Sequence, residues 1–96
     1  METAKDLNRA IITVLGYDRV GIIAEVSTLL YQANVNILDI SQTILQEFFT
    51  MIMVVDLSGC ALPINDLRTQ LMELEEQLKV KITLQHADVF QFMHRI

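Results

Sequence analysis

Residues 35–57, VNILDISQTILQEFFTMIMVVDL, are strand-forming almost throughout. Fully extended, such a stretch would measure about 75 Å, against roughly 20 Å for an ordinary strand. It must therefore fold back on itself. Its polar cluster, QTILQE, falls near the middle, which predicts a hairpin with the turn close to Gln46 and Glu47. In the second arm Phe49, Met51, Met53 and Val55 point one way, and Phe48, Thr50, Ile52 and Val54 the other, by the two-residue period of a strand. Both faces of that arm are largely apolar, so both need cover.

The flanking segments supply part of it. Residues 9–15, RAIITVL, are aliphatic and β-branched and are predicted to form a strand ended by a turn at Gly16. Only Thr13 interrupts their apolar faces, the pattern of a central strand. From Val20 to Ala33, the residues Ile23, Val26, Leu30 and Ala33 recur at helical spacing, with Asp18 or Arg19 ahead of the first turn and Asn34 at the end. After the break SGCALP, Ile64, Leu67, Leu71, Leu74 and Leu78 follow a 3-4-3-4 spacing, with Asn65, Asp66, Arg68, Gln70, Glu73 and Gln77 opposite. This is a second, amphipathic helix with a wet outer face. Residues 80–86, VKITLQH, alternate as a half-exposed strand, and ADVFQFMHRI closes the sequence with a short turn of helix capped by Asp88.

The order is β-α-β-β-α-β. It predicts an α+β fold: a ferredoxin-like βαββαβ sandwich, a four-stranded antiparallel sheet with two helices on one face. Residues 1–96 form one domain, with 1–8 as an N-terminal tail and 87–96 as a C-terminal extension. The first and third strands lie centrally in this topology, yet two helices cover one face only. A second copy of the chain is the simplest cover for the rest, so a homodimer is expected.

Composition narrows the function classes. The formal net charge is −5, and the seven Lys and Arg residues are scattered rather than gathered, which argues against nucleic acid as a partner. No apolar run approaches the roughly 20 residues of a bilayer span, and METAKDLNRA lacks a signal-peptide core, so no membrane partner and a cytoplasmic location are expected. The single cysteine, Cys60, excludes a disulfide within one chain and any multi-thiolate metal site.

Gly16 and Gly21 have the spacing of a phosphate loop, but Ile22 and Ile23 stand where lysine and a hydroxyl would be needed, and no G-x-G-x-x-G order exists. Cys60, His86 and His94 sit on different segments, without the nucleophile–base pairing or third metal ligand that catalysis or metal binding requires. No catalytic residue, no metal and no cofactor are therefore expected. Met51, Met53, Phe48 and Phe49 read as core or dimer contacts. Two polar features remain. Asp18 reads either as a helix N-cap or as a group facing a small zwitterion. Asn36 begins the second strand among apolar neighbours and offers donors and an acceptor.

The stretch GYDRVGIIAEVSTLLYQANVNI resembles the first half of an ACT domain: a strand, a D-R-P-G-type loop, a helix opening with aliphatics, and a V-N-I beginning the second strand. With DISQTI, EFFTMIMVVDL and MHRI, the whole chain looks like the small stand-alone ACT-domain proteins of uncharacterised function. Its first half also looks like the ACT domains of formyltetrahydrofolate deformylase and the glycine cleavage system repressor. The resemblance implies a regulatory module rather than an enzyme, holding an amino acid between two domains. Gly16, Asp18 and Gly21 match the loop positions and Asn36 the strand-two position. Val20 replaces the loop proline. The alternative is a ligand-free dimeric adaptor that acts on an unknown protein partner.

Overall fold

The computed structural model describes residues 8–17 and 20–86. The chain turns at Gln46 and Glu47, with Gln46 at φ 58°, and joins β2 (Asn36–Leu45) to β3 (Phe48–Asp56) in the expected hairpin. Around it stand β1 (Arg9–Tyr17), α1 (Ile22–Gln32), α2 (Ile64–Leu78) and β4 (Lys81–His86). The strands form one antiparallel sheet in the order β2-β3-β1-β4, with β1 and β3 central.

Both helices lie on one face. Beneath them Ala10, Ile12 and Val14 of β1, Phe49, Met51, Met53 and Val55 of β3, and Ile82 and Leu84 of β4 are buried. Leu67, Leu71, Leu74 and Leu78 of α2 meet them, four of the five residues picked out by spacing, and the fifth, Ile64, packs half-buried against the same core. Among the described residues no polar or charged side chain is fully buried, so the core is held by apolar burial, worth about 1.5–3 kcal/mol for each large side chain.

Two expectations are corrected. The first concerns Gly16, which does not end β1: the strand continues to Tyr17, with Gly16 paired to Phe49. The lack of a side chain makes room for Val80 instead, because a β-carbon at residue 16 would lie 2.8 Å from Val80 Cγ1. The second concerns α1, whose buried stripe is Ile22, Val26 and Leu30, while Ile23 is 39% exposed. The stripe is set by where the helix begins, and its N-cap is Gly21 at φ 98°, neither Asp18 nor Arg19; both of those lie outside the described residues.

The far end of α1 closes as the sequence indicates. Asn34 takes the left-handed conformation at φ 61°, the Val35 N–H donates to the Leu30 carbonyl at 2.9 Å, and Asn34 Nδ2 donates to the Gly59 carbonyl at 2.8 Å. The helix end is thereby tied to the loop after β3. A bulge at Leu38 then shifts the register of β2, so that Ile37 and Ile40 share the helix side with Val55 and Met53.

The opposite face of the sheet carries Leu15, Tyr17, Phe48 and Ile52, all more than two-fifths exposed. Tyr17 and Phe48, paired across β1 and β3, stack with ring centroids 5.1 Å apart. The turn of helix expected at Asp88 lies outside the described residues, as does His94.

Candidate functional site

The loop between β1 and α1 leads into a helix with no side-chain cap: Gly21 occupies the N-cap, and its carbonyl accepts from the Glu25 N–H at 2.8 Å. The first amides of α1 thus have no side-chain cap, the arrangement that favours an anion. Nothing lies within 4 Å of the position a β-carbon on Gly21 would take. Its glycine is required by backbone conformation, whereas that of Gly16 is required by close packing.

Asn36 is at the other end of the molecule. The register sets Gly16 opposite Phe49 and Asn36 opposite Asp56, so the two are separated along β3 by about 24 Å. One chain does not bring Gly16 and Gly21 together with Asn36. Asn36 is exposed and lines an open polar hollow of about 400 Å³ with Tyr31, Asn34, Val35, Asp56, Ser58 and Gly59. The hollow is partly preorganised, since Asp56 Oδ1 accepts from the Ser58 N–H at 2.9 Å and Asn34 is anchored to Gly59. Asp56, Ser58 and Gly59 escaped sequence reasoning because they come from the end of β3 and the loop after it, which only the β2–β3 register brings beside Asn36.

β2 is an edge strand exposed along nearly its whole length, with Ile40 and Ile44 on the helix side 44% and 52% exposed. Its Ile40 N–H is taken by Asp39 Oδ1 at 2.9 Å, an exposed bond that a partner strand's carbonyl could replace.

Cys60 and His86, distant in sequence, line one hollow of about 220 Å³ with Asn8, Leu57, Leu62 and Ile64. That proximity was not legible from spacing. Among the described residues no group of three His, Cys, Asp or Glu is placed to hold a metal ion, and no helix is long and apolar enough to cross a membrane.

A family model for the ACT domain matches residues 8–85. A UPF0237 protein of Methanopyrus kandleri is 46% identical over 90 residues, covering 94% of this chain and 100% of that protein. An ACT domain protein from Streptococcus pneumoniae superposes with a TM-score of 0.74 at 44% identity, over 85% of this chain and 92% of that one. The formyltetrahydrofolate deformylase of Burkholderia mallei superposes with a TM-score of 0.75 at 15% identity, over 82% of this chain and 28% of that one, a likeness of fold alone.

Proposed function

The chain belongs to the ACT-domain family, and from that premise we propose that it is a non-catalytic sensing module, a homodimer that binds an amino acid between its two subunits. ACT domains are generally regulatory ligand-binding domains, and the physical argument here extends that to particular residues. Gly16, Asp18 and Gly21 of one chain form one half of the site and Asn36 of the other chain the second half. Asp18 enters on sequence alone, since it lies outside the described residues.

The observation that carries the reading is the separation of Gly16, which leads into the Gly21 loop, from Asn36 across the length of one sheet. A second copy placed antiparallel along β2 by a two-fold axis sets Asn36 beside the partner's Leu45, at the end where β1 leaves the sheet for Gly21. Three strand spacings, roughly 14 Å, then separate Asn36 from the partner's β1, so a small zwitterion would lie over the ends of the partner's β2 and β3. Its carboxylate meets the first amides of α1, and Asn36 offers donors or an acceptor to the other end. Bound ligand stabilises the paired arrangement and so shifts the population that a partner protein reads.

The test is thermal unfolding of the protein against a panel of amino acids and related acids. A ligand at a hundred times its Kd adds about 2.7 kcal/mol to the folded form and raises the midpoint. Asn36→Ala, at an exposed position, is expected to remove that shift without lowering the midpoint of the unliganded protein. No shift with any member of the panel would favour the ligand-free adaptor, for which the exposed Tyr17–Phe48 stack is the natural contact.

A further inference from the structure

The sheet has two edge strands, β2 and β4, and a strand edge offers unpaired backbone groups to any other strand that meets it. The two edges are managed differently. Backbone groups alternate sides along a strand, so those of Ile82 and Leu84 point the same way, and in β4 that way is outward, toward side chains of α2. The Ile82 N–H donates to Glu75 Oε2 at 2.8 Å, and the Leu84 carbonyl accepts from Arg68 Nη1 at 3.0 Å, both in part-buried bonds. An oxygen for the N–H and an N–H for the carbonyl are what a neighbouring strand would supply. Here one helix supplies both.

The fit extends to the spacing. Arg68, Met72 and Glu75 stand at i, i+4 and i+7, one stripe of α2. Seven residues of helix rise about 10 Å, close to the three residues of strand between the Ile82 nitrogen and the Leu84 oxygen. Arg68 and Met72 also line a hollow of about 360 Å³ with Ile82, Thr83, Leu84 and Gln85, so the stripe runs along β4. Glu75 lies in the last turn of α2, where the helix dipole disfavours a carboxylate. Its place there answers to the strand edge: the Ile82 N–H and Lys81, whose Nζ is 4.0 Å from the same oxygen. On β2, by contrast, the Ile40 N–H is held by the side chain of the adjacent Asp39, in an exposed bond.

We propose that Arg68 and Glu75 close β4 to strand addition, so that pairing between copies of this chain goes through β2 and stops at two. The closure of β4 stands on its own. The stop at two chains rests on the β2 pairing proposed above.

Sedimentation of full-length chains over a range of concentrations tests it. Arg68→Ala with Glu75→Ala is expected to associate one step further than the unmodified protein: tetramers and longer species where the unmodified protein gives dimers, or dimers where it gives monomers. The second result would remove the β2 pairing and keep the closed edge, so the two can fail separately. Arg68→Lys with Glu75→Gln retains a donor and an acceptor and is expected to keep the unmodified mass. Equal masses for the alanine pair and the unmodified protein, or equal growth in both pairs, would overturn the proposal. Amide exchange needs neither association nor the double change. In Glu75→Ala alone the Ile82 amide is expected to exchange about ten-fold faster or more, while the Thr83 amide, turned toward Thr13 of β1, holds its rate. An unchanged rate at Ile82, or an equal rise at Thr83, would also overturn it.

Discussion

Val80 lies directly over Gly16, so close that a β-carbon on residue 16 would sit 2.8 Å from Val80 Cγ1 and 3.2 Å from its Cα. The contact joins the end of β1 to the residue that follows α2, with Lys79 in the left-handed conformation at φ 58°. Gly16→Ala should therefore destabilise the fold by about 1–3 kcal/mol, an overpacking cost, measured by urea unfolding. Adding Val80→Ala should cost less than the two single changes summed, because the smaller side chain relieves the clash.

Gly21 presents the opposite case. Its φ of 98° is one that L side chains rarely adopt, yet a side chain there would meet nothing within 4 Å. Gly21→Ala should cost about 1 kcal/mol through backbone strain alone, and Gly21→Asn less, since asparagine tolerates positive φ better. Val80→Ala should leave the Gly21→Ala cost unchanged, and comparing the two cycles separates steric from conformational need.

The β2 edge supplies a prediction about assembly. Ile40 is 44% exposed on the helix side of an edge strand. Ile40→Lys should change the stability of a lone chain by no more than about 0.5 kcal/mol, as a surface substitution. In the two-fold arrangement it sets two like charges at the centre of the contact. On the proposed assembly, sedimentation should then report monomers where the unmodified protein is expected to give dimers, and the expected amino-acid thermal shift should vanish with the dimer.

Much of the fold was legible in the sequence, and for physical reasons. The 3-4-3-4 spacing of Ile64 to Leu78 admits one helix face, and the strand length limit forced the hairpin at Gln46. What escaped was decided by tertiary contact. Gly16 looks like a stop until Val80 is placed over it, and Ile22 rather than Ile23 turns inward because Gly21 starts the helix. The bulge at Leu38 leaves no mark in composition. The candidate site was named as residue types, whereas the placement of Gly16 and Asn36 at opposite ends of the sheet follows only from strand register.

That separation carries a genetic consequence. In the proposed two-fold dimer each of the two proposed sites takes its loop from one chain and its amide from the other. A chain crippled at Asn36 and a chain crippled at Gly21 should each be blind when paired with themselves. Mixed together, they form one dimer class with both lesions in a single pocket and the other pocket intact. Co-expression of the two defective chains should therefore restore half of the binding capacity per mixed dimer, as intersubunit complementation.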